Sequence, residues 1–342
     1  MRILRDWKAF AFLGSVFGLG LVLLFALARP VGGRVSTAAP ALFQPVSTAH
    51  TGDEETASFS VRVKGETIPY RVFGLFVMPG ERVLLQVATD GPGAFEIIPS
   101  EGLVESSAPE GWHWTAPTTT GLYPIEVIDR LSNDTMTLNA FVLVPYERQE
   151  TLNSYRIGRY QQTGLAHTAA YAVPDGFIEV TQANQSVRVA PHFTLAQFVA
   201  KQASGFPKYL VLQEKLLLKL ELLLDSVQAR GIQASTFRVM SGYRTPFYNR
   251  SIGNRTTFSR HLYGDAADIY IDENGDGSMD DLNGDRRINR EDARYLAKVV
   301  GQVEETSAFR RFLGGIGLYR SRANHGPFIH VDARGVPTRW EQ

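Results

Sequence analysis

Hydrophobic and polar positions recur with different periods along the 342 residues, and each period predicts an element. Ala9 to Ala28 carries no charge over 20 positions, the length a helix needs to cross the hydrocarbon core of a bilayer. Arg2, Arg5 and Lys8 precede this run, and Arg29 and Arg34 follow it, a bias that favours an N-in, C-out orientation. An uncleaved single-pass anchor is one reading. A cleaved signal peptide is the other, with Thr37-Ala38-Ala39-Pro40-Ala41 as its cleavage region, although such an apolar core ordinarily spans only ~7–15 residues. Either reading places the chain after residue 30 in the periplasm or outside the cell.

Residues 30–56 are rich in Ala, Ser, Thr and Pro and show no period, the pattern of a flexible linker. From Ser58 the pattern alternates, with Phe59, Val61 and Val63 on one face and Ser60 and Arg62 on the other. Similar runs at Val83–Val87, Ala94–Ile98, Tyr123–Ile128 and Leu138–Val144 are separated by turn signals such as Asp90-Gly91-Pro92-Gly93. This spacing predicts a small all-β sandwich of immunoglobulin-like type over 57–146. Trp112 and Trp114 read as core residues of a strand, a binding surface being the alternative.

Residues 147–190 read as a connecting segment with a strand at Gly176–Val180. A helical period follows. Thr194 is a candidate N-cap for a helix from Leu195 to Lys201. Leu216, Leu217, Leu220, Leu224 and Val227 share one face of a second helix that Gly231 ends. The predicted class is α+β. Its domains are a cytoplasmic stub and transmembrane helix at 1–29, the linker at 30–56, the sandwich at 57–146, the connection at 147–190 and a C-terminal domain at 191–342.

Composition narrows the chemistry. Lys+Arg 35 and Asp+Glu 35 cancel, which argues against a nucleic-acid binder that must neutralise phosphates. No cysteine is present, which removes disulfides, Cys-ligated zinc, iron–sulfur clusters and thiol catalysis. No Gly-x-Ser-x-Gly follows the apolar run and no His-Glu-x-x-His occurs, which disfavours a serine hydrolase and one large class of zinc enzymes.

The C-terminal third holds three informative runs: Ser241-Gly242-Tyr243-Arg244, Ser259-Arg260-His261-Leu262-Tyr263-Gly264-Asp265-Ala266-Ala267-Asp268, and Phe328-Ile329-His330-Val331-Asp332. Small residues between His261 and Asp268 let the backbone fold tightly, so an imidazole and a carboxylate can converge, and His330 can join them from an apolar strand. Two His and one carboxylate leave a fourth zinc position open, the mark of a catalytic site. Arg244 is a candidate to stabilise a developing oxyanion. A satisfied core histidine and a salt-bridged Asp268 are the plainer readings of the same residues.

Taken together, the three runs resemble the zinc D-alanyl-D-alanine peptidase family, which shares its fold with lysostaphin-type enzymes and the hedgehog domain. Gly314-Gly315-Ile316-Gly317-Leu318-Tyr319 and Arg339-Trp340 are similar to the subgroup containing murein endopeptidase K. The resemblance covers about residues 190–342. It implies a zinc domain of hedgehog/DD-peptidase type, Zn2+ on His261, Asp268 and His330, and Arg244 on the substrate carbonyl or carboxylate. The implied activity is hydrolysis of D-amino-acid amide bonds in peptidoglycan stem peptides or cross-links, as carboxypeptidase or endopeptidase. One feature departs from the family: where a Glu or Asp stands three residues before the last His, this chain has Pro327, and the His that another branch places two residues before it is Phe328. The general base then falls to His325 or to Asp332, and Asp332 has a second reading as orienter of a ligand His. A catalytically silent wall-binding or scaffold protein is the alternative function.

Between Asp268 and His330 lies an acidic insertion. From Asp281, oxygen donors fall at positions 1, 3, 5, 9 and 12 as Asp281, Asn283, Asp285, Asn289 and Asp292, an EF-hand-like calcium loop similar to dockerin modules, with Arg286 where Gly is usual. Asp272, Asn274 and Asp276, followed by Gly277, begin an overlapping frame. The expectation is bound Ca2+ within 272–292. The expected partners are peptidoglycan peptides, the membrane through one helix, and a protein bound by the sandwich. A calcium-regulated adhesion module is a third reading of the whole.

Overall fold

The computed structural model describes residues 54–107, 111–162, 164, 168–254 and 256–342. From residue 54 onward they belong to one compact unit. Alternating residues build the first strands: β1 (Thr56–Val63), β2 (Glu66–Tyr70), β3 (Val72–Val77), β4 (Arg82–Ala88), β5 (Phe95–Pro99), β6 (Leu103–Ser107), β7 (Gly111–Thr115), β8 (Gly121–Asp129) and β9 (Asp134–Val142). They form a sheet of order β2-β1-β4-β7-β6 and another of order β3-β9-β8-β5. In β1, Phe59, Val61 and Val63 are buried while Ser58 and Arg62 face solvent. The sheets meet across Phe59 and Phe95, whose rings lie 5.1 Å apart edge to face. Trp114 is fully buried, and its indole N–H donates to the Glu101 carbonyl at 2.9 Å; Trp112 is half-buried.

These strands join the C-terminal part through polar contacts as well as apolar packing. Glu214 opens helix α1 (Glu214–Gln228), where an acidic side chain suits the positive end of the helix. Its Oε1 accepts the Phe76 amide at 3.0 Å and pairs with Lys64 at 3.3 Å. The Asn139 amide donates to the Arg188 carbonyl at 2.8 Å.

The C-terminal part centres on β10 (Arg238–Ser241), β11 (Ala266–Tyr270), β12 (Gly315–Tyr319), β13 (Phe328–Asp332) and β14 (Thr338–Glu341), in the order β10-β11-β13-β12-β14. All pairs are antiparallel except β12 with β14. Helix α2 (Pro246–Ser251) is short and capped by Thr245, whose hydroxyl accepts the Tyr248 amide at 3.0 Å. Helix α3 (Arg290–Glu304) packs on β12 and β13. Between α1 and α3 sits a buried charge network. Lys219 donates to Glu304 at 2.6 Å and to the Asp332 carbonyl at 2.7 Å, and Arg339 also pairs with Glu304. The network ties both helices to the end of β13.

The expected α+β class is overturned. Among the described residues β-sheet predominates, with three α-helices, and no helix is long and apolar enough to cross a membrane. The span expected at 9–28 and the linker as far as residue 53 lie outside the described residues. The helix expected from Leu195 to Lys201 is one 3₁₀ turn, Leu195–Phe198, held by a Thr194–Gln197 capping box. Seven residues are too few to sustain a helix alone, and Leu195 and Phe198 are already buried by this single turn. The strand read around His330 is confirmed as β13; it is buried on both faces, which is why it reads as a continuous apolar run without alternation.

Lys219→Ala removes one partner from the buried Lys219–Glu304 pair, and such losses cost about 3–5 kcal/mol. Urea unfolding of the variant should show a fall of that order; a change below about 1 kcal/mol would assign the network no structural weight.

Candidate metal centre

Strand register assembles the centre. Asp268 on β11 stands opposite Ser241 on β10 and His330 on β13, His330 stands opposite Gly317 on β12, and Gly317 stands opposite Trp340 on β14. These five residues form one row across the sheet. His261 enters from a 3₁₀ turn, Arg260–Tyr263, that ends at Gly264. Gly264 has φ +71°, and a Cβ there would lie 2.4 Å from the Val211 carbonyl, so the turn into β11 requires glycine. The turn is anchored by the buried Arg260–Asp265 ion pair, with the Arg260 guanidinium 4.6 Å from the Tyr171 ring centre.

Hydrogen bonds fix both imidazoles. His261 Nδ1 lies 2.6 Å from the Gly242 carbonyl, which only a ring N–H can satisfy, so Nε2 carries the lone pair. His330 Nε2 lies 3.2 Å from Asp332 Oδ2, so its Nδ1 is the free nitrogen. The two free nitrogens and Asp268 Oδ1 converge. His261 Nε2 is 3.1 Å from His330 Nδ1 and 3.1 Å from Asp268 Oδ1, and His330 Nδ1 is 2.9 Å from Asp268 Oδ1. Three lone pairs facing one another repel unless a cation or proton lies between them. Tetrahedral zinc at its usual bond lengths separates adjacent donors by about 3.3 Å, so the donor set fits that ion with little movement. Among the described residues this is the one group of three His, Asp or Glu side chains gathered closely enough to hold a metal.

The electrostatics agree. Burial pushes the His261 pKa down to about 4, with Arg244 adding to the effect and Asp268 opposing it, so the ring is neutral near pH 7. Burial opposes ionisation of Asp268, but His261 and Arg244 hold its carboxyl well below the ordinary carboxylate range. Burial also opposes a charged His330, yet hydrogen bonds to Asp268 and Asp332 raise its pKa. Protons therefore compete with a metal at His330, and metal affinity falls as pH drops through that raised value.

The sequence-selected residues divide in three. Arg244 joins the centre: it pairs with Asp268 Oδ2, and its Nε donates to Ser241 Oγ at 2.8 Å. Asp332 lies behind His330, across the ring from the converging donors. Its oxygens accept the Gly315 amide at 2.9 Å and the Arg334 guanidinium, with Arg334 Nη2 at 2.5 Å. Burial opposes this carboxylate, but His330 and Arg334 hold its pKa far below the ordinary value. His325 lies apart from the three ligands. Its Nδ1 meets the Gly326 carbonyl at 2.7 Å, its ring abuts Phe328 at 5.0 Å, and it lines a cleft with Lys201, Met240, Tyr270, Ser278 and Asn324. Tyr270 and Phe328 lie two residues from Asp268 and His330, so the cleft lies along the same sheet face. The carboxylates of 272–292 form no comparable trio, and Asn289 and Asp292 make a capping box at the start of α3.

Residues without a motif complete the centre. Trp340 packs 5.1 Å from the His330 ring and donates its indole N–H to Tyr319 Oη at 3.1 Å. A Cβ at Gly317 would lie 2.4 Å from that indole, so glycine there makes room for it. Arg334 could be anticipated only from its spacing of two beyond Asp332. Lys201 gave no signal in sequence; burial, with Arg244 nearby, lowers its pKa, and Asp268 opposes the shift.

Two imidazoles and a carboxylate beside an open cleft define a metallohydrolase-type centre. Residues 191–283 match the family described as Peptidase M15, a zinc D-alanyl-D-alanine peptidase family; the match takes in Arg244, His261 and Asp268, and His330 lies beyond it. No curated protein matches the chain. Among solved structures, the crystal structure of titin M3 domain is similar over 25% of this chain and 97% of its own, at 9% identity and a TM-score of 0.17, a level of likeness that carries no structural conclusion.

Asp332→Asn removes the carboxylate that orients His330, and such a change typically weakens metal affinity ~10–100-fold. Competition with a chromophoric zinc chelator should show this loss with the circular dichroism unchanged; unaltered affinity would remove Asp332 from the centre.

Proposed function

We propose that this chain is a zinc peptidase that hydrolyses D-amino-acid amide bonds in peptidoglycan stem peptides or cross-links, as a carboxypeptidase or an endopeptidase of the murein endopeptidase K type. The observation that supports it most is the convergence of three lone pairs from His261, Asp268 and His330 beside a cleft. The family match supports the zinc peptidase class. His261 Nε2, Asp268 Oδ1 and His330 Nδ1 would hold the metal. Bound there, zinc supplies Lewis acidity and lowers the pKa of a water.

The remaining chemistry belongs to the side chains. Arg244 holds Asp268 in place through one nitrogen, while Nη1 has no hydrogen-bond partner among the described residues and is available to a substrate oxygen. Charge developing on the carbonyl oxygen is stabilised by that donor. Asp332 is committed to His330, Gly315 and Arg334, which leaves His325, on the wall of the neighbouring cleft, as the candidate general base of this reading. The stacked rings of Tyr319 and Phe328, 4.5 Å apart, offer an apolar floor for a peptide. Placement outside the cytoplasm, near the wall, rests on the uncharged run 9–28 alone.

One observation favours a second reading, a silent wall-binding protein: Pro327 and Phe328 occupy the positions where the family carries its base. Digestion of purified sacculi separates the two. The wild-type protein should release new amino groups from muropeptides, and His330→Ala or chelation should abolish release. Full zinc occupancy without any cleaved wall peptide would overturn the enzyme reading and leave the silent one.

A further inference from the structure

The 3₁₀ turn that carries His261 leaves its last carbonyls without partners of its own. Each takes a donor from another part of the chain. The His261 carbonyl accepts the Arg244 amide at 3.0 Å, the Tyr263 carbonyl accepts the Gln213 side-chain amide at 2.8 Å, and the Gly264 carbonyl accepts the Gln213 backbone amide at 3.0 Å. The Leu262 carbonyl accepts the Tyr160 hydroxyl at 3.0 Å. Arg244 and Gln213 lie within the residues that match the peptidase family, whereas Tyr160 belongs to the connecting segment outside them.

Tyr160 also meets the Tyr243 hydroxyl, oxygen to oxygen, at 2.8 Å. A hydroxyl has one proton to give, and a carbonyl can only accept. The Tyr160 proton therefore goes to Leu262, and Tyr243 donates to Tyr160. Both phenols are buried, which pushes their pKa values well above the ordinary one, so both keep their protons. Tyr243 follows Gly242, whose carbonyl fixes His261 Nδ1, and Leu262 follows His261. Tyr160 thus ties together the two backbone stretches that hold the ends of the His261–Gly242 hydrogen bond. The connecting segment grips the turn a second time: the Ala170 carbonyl accepts Arg260 Nη1 at 2.5 Å, and the Tyr171 ring meets the Tyr263 ring edge to face at 5.4 Å.

We propose that Tyr160 is a positioning residue of the metal centre: its hydroxyl, shared between Leu262 and Tyr243, holds the His261 ring so that Nε2 meets Asp268 and His330. The proposal rests on the three-ligand zinc site of the proposed peptidase. Without the hydroxyl, one carbonyl and one phenol are left unpartnered in a buried place, which costs more than the hydrogen bonds themselves contributed. The turn relieves that cost by shifting, and it carries His261 with it. Asp268 and His330 are paired by strand register and do not follow, so the three donors spread. A residue that only packs would lower stability when altered and leave the donors where they are.

The test uses the full-length protein in mild detergent and the variant Tyr160→Phe, which keeps the ring. Competition with a chromophoric chelator reads zinc affinity, and cobalt(II) in place of zinc reports ligand geometry through its visible absorption. Tyr160→Phe should weaken zinc binding about tenfold, the lower end of the loss expected for a partner that orients a ligand, and should alter the cobalt spectrum. Tyr243→Phe leaves the Tyr160–Leu262 bond in place and should weaken binding by a smaller factor. Tyr155→Phe is the packing control, because the Tyr155 hydroxyl is buried with no hydrogen-bond partner among the described residues; its affinity and spectrum should match the wild type. Unchanged affinity and spectrum in whichever of Tyr160→Phe and Tyr243→Phe fold, whatever their melting temperatures, would overturn the proposal. So would an equal loss in Tyr155→Phe. A wild-type protein that takes up no zinc would overturn the site and the proposal together.

Discussion

Asp268 stands opposite His330 on adjacent antiparallel strands, and that register is the constraint on which the centre depends. A slip of one residue would send one of them to the opposite face of the sheet. With the register kept, the same row brings Ser241 beside Arg244's partner Asp268, and Gly317 and Trp340 beside His330. The row also explains which atoms converge. His330 is held from behind by Asp332, so its Nδ1 points to Asp268, and His261 is held by the Gly242 carbonyl, so its Nε2 does.

The layers around this row are charged rather than purely apolar. Lys219, Glu304 and Arg339 brace the carbonyl of Asp332, while Arg334 braces its carboxylate. Arg260 and Asp265 brace the turn that carries His261. The Lys219–Glu304 and Arg260–Asp265 pairs are buried on both sides and would be costly to break singly, while Arg334 and Arg339 reach the surface at their outer ends.

The three candidate ligands were legible in sequence because short motifs keep them close to small residues: Gly264, Ala266 and Ala267 mark the turn and strand that bring His261 to Asp268. The alternation of Phe59, Val61 and Val63 likewise made β1 legible. The remainder was hidden for physical reasons. Strand β13 was legible as an apolar run, but its partners and register were not, because a strand buried on both faces shows no alternation to orient it. Lys219 looks like an ordinary charge on an amphipathic helix, and only the tertiary fold places it against Asp332. Asp332 fitted two roles by spacing, and its hydrogen bonds put it behind His330, away from the open side of the donor set.

The central claim is that His261 Nε2, Asp268 Oδ1 and His330 Nδ1 form one zinc site. A crystal structure with anomalous data collected at the zinc edge tests it most directly. The account predicts one strong peak about 2.0–2.2 Å from all three atoms, with Asp332 hydrogen-bonded to the far nitrogen of His330. No peak at the row, or zinc on His330 Nε2, would contradict it.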